Sequence, residues 1–199
     1  MDINAHLAHR VRALRDARQL SLDALAERSG VCRSHISLVE RGQSSPTASV
    51  LDKLATGLGV TIASMFDAAE TDAGAPPSPL LRADEQPLWT DPASGYTRRK
   101  LSPPAAGGPL QLVEVVFPAG RRVAFETAGR EPEVHQQVWL LDGAMEIRVG
   151  DARWRLAAGD CLAMRLNAAI TFRNPGRVPA RYLVALATLP AHAPRRSPA

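Results

Sequence analysis

The chain has 199 residues, of which 45% are hydrophobic, so it can form one large domain or two small ones with packed cores. Its formal net charge is +4, carried as +2 by residues 1–66, −4 by residues 67–87 and +6 by residues 88–199, and the basic ends favour an anionic partner. No apolar signal segment begins the chain, no apolar run reaches the ~18 residues of a membrane helix, and the two cysteines lie far apart in sequence. We therefore expect a cytoplasmic protein that does not enter a membrane.

Helical periodicity runs through the first 66 residues and predicts five helices. Leu7, Val11 and Leu14 mark the buried face of the first helix. Ser21 is a natural N-cap for the second helix, and Gly30 is a natural stop at its C-terminal end.

The fourth helix is predicted to follow Thr47 as its N-cap and to end at Gly59, and Thr61 is predicted to cap a short fifth helix. The residues expected on the buried stripe of the fourth helix are Leu51, Leu54, Ala55 and Leu58.

The third helix is predicted within the stretch GVCRSHISLVERG, residues 30–42. Ile36 and Val39 fall on its apolar side. The residues on its polar side are Arg33, Ser34, Ser37 and Arg41. This face combines small hydroxyl groups with arginines, which favours contact with an anionic surface.

Beyond the helices, the composition changes twice. Residues 67–87 are rich in Ala, Pro, Asp and Glu and predict a linker. After residue 87 the period becomes two, in the runs LQLVEVVF, QVWLLDG, AMEIRV, ARWRLA, DCLAM, ITFRN and RYLVALA. Short strands separated by turn residues favour an antiparallel sandwich or barrel. Residues 191–199 are predicted to be a disordered tail.

Residues 6–66 resemble the Cro/repressor-type (XRE) helix-turn-helix family, through RVRALRDARQLSLDALAERSGV, SHISLVERGQSSPT and LDKLATGLGV. The resemblance implies a five-helix lambda-repressor-like domain whose third helix enters the major groove of double-stranded operator DNA. It also implies an ion pair between Arg15 and Glu40 that supports the helices.

The resemblance implies two groups of DNA contacts. Arg33 is expected to read a base edge, with Ser34, Ser37 and Leu38 beside it. The residues expected to contact phosphates are Ser21, His35, Arg41, Gln43 and Ser44. A small helical module that binds protein is the alternative for this domain.

Cys32 occupies the N-cap position of the third helix, where Ser or Thr is usual. A helix N-terminus lowers the pKa of a thiol, so a redox sensor is one interpretation. The other is a cysteine tolerated as a small residue.

Residues 88–190 resemble the cupin family, small antiparallel barrels of the jelly-roll type, and the match is best at 136–176. Regulators that join this helix-turn-helix to a cupin in this order are a known family. The resemblance implies that the second domain dimerises the protein and encloses a cavity.

Cupins usually hold a metal through two motifs, and this chain has substitutions at all four ligand positions. Gln136 stands at the position of a Glu ligand and Ile170 at that of a His ligand. The two remaining His positions fall on Arg130 and Pro132, or on Gly129 and Glu131. A displaced set of His135, Glu131 and Glu133 is an alternative, but we expect no metal, no cofactor and no catalytic residue.

A barrel without a metal can still admit a small molecule. The residues expected to bind it are Gln136, Val138, Leu140, Met164, Ile170 and Phe172. This cavity would be mostly apolar, with one amide and an arginine, Arg122 or Arg165. The alternative is a closed barrel that serves only for dimerisation.

Together these features predict a multi-domain α + β protein. Residues 1–66 form the helix-turn-helix domain, 67–87 the linker, 88–190 the cupin β-barrel and 191–199 the tail. We expect a homodimeric transcriptional repressor whose β domain responds to a small-molecule effector. Activation is the alternative direction of regulation. The alternatives are a self-regulated cupin enzyme, an isomerase or dioxygenase, and a DNA-binding dimer that senses nothing.

Overall fold

The structure, a computed structural model, describes residues 2–67, 78–103, 110–126 and 134–188. Its N-terminal part contains the helices α1 (Ile3–Ala17), α2 (Leu22–Ser29), α3 (Arg33–Glu40) and α4 (Ala48–Gly57). A 3₁₀ helix at Ala63–Phe66 stands where a fifth helix was expected.

Local side chains set the ends of these helices. Ser21 Oγ accepts a hydrogen bond from the Ala24 amide at 3.0 Å, and Thr47 Oγ1 accepts one from the Val50 amide at 3.4 Å. Gly30 ends α2 with a φ of +66°, a left-handed conformation that strains residues with a Cβ. The residues predicted on the buried faces are all buried: Leu7, Val11, Leu14, Leu51, Leu54, Ala55 and Leu58.

Two antiparallel sheets follow the helices. The strands are β1 (Leu88–Thr90), β2 (Thr97–Lys100), β3 (Leu110–Phe117), β4 (Arg122–Glu126), β5 (Val134–Asp142), β6 (Ala144–Val149), β7 (Ala152–Ala157), β8 (Cys161–Arg165), β9 (Ala169–Arg173) and β10 (Ala180–Thr188). One sheet has the order β1-β2-β3-β10-β5-β8 and the other the order β4-β9-β6-β7.

The two sheets pack face to face. Phe172 on β9 stacks on Tyr182 on β10, with ring centroids 6.2 Å apart and an interplanar angle of 7°. Gly143 connects β5 to β6 where a Cβ would lie 2.9 Å from the Ala180 Cα, so the hairpin has no room for a side chain there. The α + β class and the two-sheet jelly-roll architecture predicted from the sequence are confirmed.

All seven predicted runs overlap strands, with Gly143, Asp160 and Asn174 one residue outside them, but three strands were not predicted. These are β1, β2 and β4. The sequence of β2, TRRK, has no apolar alternation, and its strand conformation comes from pairing with β3, where Thr97 faces Val116. Pairing between distant segments therefore overrides a weak local pattern.

The helical part packs directly on the β part. The rings of Phe66 and Trp89 have centroids 6.0 Å apart, and Trp89 is fully buried. The Ala48 amide donates to Asp91 Oδ1 at 2.9 Å, and the Glu126 amide donates to Asp52 Oδ2 at 3.1 Å. One hydrophobic core runs through both parts.

The stretch expected to be a linker is described at residue 67 and at 78–87, where it carries neither helix nor strand. The predicted tail, 191–199, lies outside the described residues. Within the described ranges, every helix is too short or too polar to span a membrane.

Candidate nucleic-acid interface and interdomain cavity

The polar face of α3 lies on the surface of the helical domain. Ile36 and Val39 are buried beneath it, because they are the apolar side of a helix packed against α1 and α2. Arg33, Ser34 and Leu38 are exposed, and Ser37 is half-buried. With Leu22 and Arg41 these residues line one surface groove of about 440 Å³.

Arg33 has an acidic neighbour on α2, Asp23, which the sequence pattern did not indicate. Its Nε lies 3.5 Å from Asp23 Oδ1 on α2, and the two side chains are 65% and 72% exposed. An exposed pair of this kind is weak, about 0–1 kcal/mol, so a phosphate or a base edge can compete for the guanidinium.

The residues expected to contact phosphates surround this groove without forming one cluster. Ser21 uses its hydroxyl to cap α2, and His35 is half-buried. Arg41, Gln43 and Ser44 follow the C-terminal end of α3, where Arg41 and Gln43 are exposed.

Cys32 is the exposed N-cap of α3, and its side chain makes no capping hydrogen bond to the backbone. Its Sγ lies 3.4 Å from Ser34 Oγ. This contact, with help from the His35 backbone amide, lowers the pKa of the thiol. A lowered pKa increases the fraction of the thiol that is ionised at a given pH.

Arg15 joins α1 to the end of α3. Its Nε donates to Glu40 Oε1 at 2.7 Å and its Nη2 donates to Oε2 at 2.9 Å. Nη1 donates to the Leu20 carbonyl at 2.9 Å. The two side chains are 14% and 8% exposed, so this bidentate pair is mostly shielded from water.

A cavity of about 40 Å³ lies between the two sheets, and the helical domain forms one of its walls. The wall residues from the helical domain are Asp52, Thr61, Ile62 and Ala63. The aromatic residues of the lining are Tyr96, Phe117, Phe125, Phe172 and Tyr182.

Only part of the predicted binding set lines this cavity. Gln136, Ile170 and Phe172 do, whereas Val138, Leu140 and Met164 are buried in the core outside the lining. The arginine of the cavity is Arg98 on β2. Arg122 and Arg165, the arginines considered from the sequence, are exposed on the surface.

Two polar atoms of the lining residues are buried without a hydrogen-bond partner in the described part of the chain. They are the Arg98 Nε and the Tyr96 hydroxyl oxygen. Burial raises the pKa of Tyr96 to about 12, against the opposing effect of Arg98, so the phenol stays neutral at ordinary pH. A buried donor that lacks an acceptor costs about 1–3 kcal/mol.

The cupin ligand positions are described in part. Gln136 and Ile170 both lie in the cavity wall and present an amide and an alkyl group. Arg130, Pro132, Gly129, Glu131 and Glu133 lie outside the described residues. His135 is half-buried and Arg165 stands opposite it in the β5–β8 pairing, where neither lines the cavity.

Known proteins resemble this chain in both of its parts. Residues 6–65 match the family model described as a helix-turn-helix domain. The HTH-type transcriptional regulator SutR of Escherichia coli (strain K12) is 27% identical over 171 residues, which cover 85% of this chain and 88% of that protein. Control protein C.SmaI of Serratia marcescens is 42% identical over 62 residues, which cover 31% of this chain and 74% of that protein.

Among solved structures, an HTH_3 family transcriptional regulator from Vibrio cholerae has the same fold over both parts. It superposes with a TM-score of 0.74 at 22% sequence identity and covers 95% of this chain and 99% of that chain.

Proposed function

Because the chain belongs to the helix-turn-helix family of transcriptional regulators, we propose that it binds operator DNA through α3, as a homodimer held by its β domain. The observation that carries this proposal is the exposed face of α3, where Arg33, Ser34 and Leu38 stand above a buried apolar side. Its place of action is then the cytoplasm. Repression by occupancy of the operator is the simpler outcome, since it needs no further contact.

The roles on this face follow from side-chain chemistry. A guanidinium can donate two hydrogen bonds to the O6 and N7 atoms of guanine, so Arg33 is the proposed base reader. Ser34 and Ser37 bond to several bases, and Leu38 suits a thymine methyl group. Arg41, past the end of α3, is the proposed phosphate contact.

The outer face of the six-stranded sheet supports the dimer. Trp139 on β5 is 49% exposed there, and its cross-strand neighbours are Leu183 on β10 and Cys161 on β8. A second copy seated on this face would remove the exposed indole and its aliphatic neighbour from water. Two α3 helices related by a twofold axis would read half-sites about 10 base pairs apart, or a multiple of that.

The β domain is proposed to sense a small molecule rather than to catalyse a reaction. Gln136 and Ile170 supply neither a metal ligand nor a nucleophile to the cavity wall, and this favours binding without turnover. The interdomain cavity is the proposed site.

The test begins with genomic fragments that the full-length protein retains, sequenced to define its operator. Fluorescence anisotropy then compares wild type with three variants, each lacking one arginine. Arg33→Ala should lose about 1–3 kcal/mol of binding free energy and relax the preference at one base pair. Arg41→Ala should weaken binding to all sequences equally and lower the salt slope by about 1.

Arg148→Ala is the matched control, because Arg148 is an exposed arginine of the β domain and its loss removes the same charge. It should bind like wild type. If Arg33→Ala behaves like this control, or if it loses affinity without any change in base preference, the assignment of α3 as the reading helix is wrong.

A further inference from the structure

The interdomain cavity offers hydrogen-bond donors in an apolar setting. Arg98 and Tyr96 come from β2 and the turn before it, and both have a buried polar atom without a partner in the described residues. The Gln136 side chain, which has two more N–H donors, is 8% exposed and lines the same space. Phe125, Ile170 and other apolar residues cover most of the remaining wall.

These donors match the acid group of an anion. A guanidinium Nε has no acceptor capacity, and its natural partner is a carboxylate or phosphate oxygen. In the described part of the chain Arg98 has no ion pair within 4.0 Å, and although the residue as a whole is half-buried, its Nε is buried and its side chain lines a cavity with aromatic walls. A buried N–H donor without an acceptor is unfavourable, and an anionic ligand would supply the acceptor for Nε.

The size of the cavity limits the anion. Its volume of about 40 Å³ has room for about three water molecules, since one water needs roughly 10–15 Å³. A phosphate ester or an aromatic acid does not fit this space. A carboxylate of two to four carbon atoms needs only a small expansion, and its alkyl part suits Ile170 and Phe172.

Asp52 is the second charged residue of the lining, and it stands on the helical wall. Its Oδ2 accepts a hydrogen bond from the Glu126 amide at 3.1 Å, which fixes that oxygen. A carboxylate ligand would be repelled from this wall, so its acid group belongs at the Arg98 side.

We propose that the interdomain cavity binds a short-chain organic carboxylate, with its acid group on Arg98 and Tyr96 and its alkyl group on Ile170 and Phe172. The proposal rests on the regulatory function above and names the class of its effector. It also assigns the means of regulation, because part of the cavity wall belongs to the DNA-binding domain.

The coupling follows from the contacts that hold this wall. Thr61 Oγ1 donates to Gln111 Oε1 at 3.4 Å, and Lys53 Nζ lies 3.4 Å from Glu126 Oε2. A ligand that expands the cavity pushes on Thr61 and Ala63, and through α4 it changes how the helical domain sits on the sheets. Ligand and operator then alter each other's affinity by the same factor.

The probes are the sodium salts of acetate, propionate, butyrate and hexanoate, with propionamide and butyramide as uncharged controls at matched ionic strength. Thermal unfolding of the full chain measures binding as a saturable rise of the Tm. We expect propionate and butyrate to stabilise the wild type, hexanoate to do so less, and the amides to have no effect.

Arg98→Gln should abolish this stabilisation. The matched control is Arg99→Gln, since Arg99 is the next residue on β2, lies near Glu114 with its side chain 41% exposed and does not line the cavity. If Arg98→Gln does not fold, Tyr96→Phe is the second variant, because it removes only a hydroxyl group. It should weaken the affinity for the carboxylate by about tenfold or more.

Three results would overturn the carboxylate site: no carboxylate stabilises the wild type, the amides act as well as the acids, or Arg98→Gln responds like Arg99→Gln. Binding of the carboxylate with an unchanged operator affinity would overturn the regulatory part alone. If the protein retains no DNA, the proposed function fails, whereas the thermal measurement still decides the site.

Discussion

Removing Glu40 should destabilise the protein strongly although its partner Arg15 remains. The pair is bidentate, with distances of 2.7 and 2.9 Å, and the side chains are only 14% and 8% exposed. Breaking a buried pair by removing one partner costs about 3–5 kcal/mol. We expect the lower end, about 3 kcal/mol, for Glu40→Ala, because Asp16 and the Leu20 carbonyl still accept from Arg15 Nη1.

The assay is urea unfolding of the full chain, supported by the Tm. For a protein of this length, about 3 kcal/mol corresponds to a fall of the Tm by about 6–12 °C. Arg12→Ala is the matched control, because Arg12 and Asp16 form an exposed pair with 3.8 Å between Nε and Oδ2. It should cost at most about 0.5 kcal/mol.

The double variant Arg15→Met with Glu40→Leu separates the charge from the packing. Replacing both partners by apolar residues of similar size should restore most of the lost stability. A loss below about 1 kcal/mol for Glu40→Ala, or equal losses for Glu40→Ala and Arg12→Ala, would refute the argument that shielding makes this pair strong. The base preference of the folded variants should not change, since neither residue belongs to the proposed reading face.

Three further outcomes are expected. Burial lowers the pKa of His6, and the charges of Arg10, His9 and Lys100 lower it further, whereas the Asp67 carbonyl opposes this shift. The free energy of unfolding should therefore fall as the pH drops below about 6.5, because the unfolded chain then takes up a proton that the native state resists. Urea midpoints at pH 7.5 and 5.5 should therefore differ less in His6→Gln than in wild type, and equal differences in the two proteins would contradict this. Asp23→Asn removes the exposed partner of Arg33 and should strengthen binding to random-sequence DNA by a few-fold in anisotropy titrations. The control is Asp84→Asn, which removes an exposed carboxylate in the stretch before β1 and should leave the DNA affinity unchanged. Trp139→Glu places a charge on the outer sheet face and should shift the protein towards monomer in sedimentation velocity, whereas a dimer as tight as wild type would place the interface elsewhere.

The helical half of the fold could be predicted because its signals are local. Ser21 and Thr47 cap helices with their own hydroxyl groups, and Gly30 ends α2 in the conformation that glycine permits. The strands β3, β6 and β7 have the bounds of the predicted runs. In β6 the side chains alternate between the core and the outer face, whereas in β7 only Leu156 is buried and the run was recognised by its alternating apolar residues.

The cavity could be predicted only in part because its walls come from distant segments. Gln136, Ile170 and Phe172 follow from strand alternation around a cupin motif. Arg98 could not be predicted, because the sequence TRRK is typical of a solvated run of charges, and only its pairing with β3 makes it a strand. Asp52 was also missed, since its burial comes from packing of α4 against β4 rather than from any pattern within α4.

One hydrophobic core, with members from Leu7 in α1 to Leu186 in β10, joins the helical part to the β part and limits how such a protein can evolve. A DNA-binding domain attached by a flexible linker can be exchanged for another by recombination, because no packed interface with the rest of the protein has to change with it. Here Phe66 packs on Trp89, and the Asp91 side chain accepts a hydrogen bond from the amide at the start of α4. A DNA-binding domain exchanged from another protein would leave Trp89 exposed and Asp91 without this hydrogen bond. New operator specificity in this lineage is therefore expected to arise by substitution on the surface of α3, and not by shuffling of whole domains.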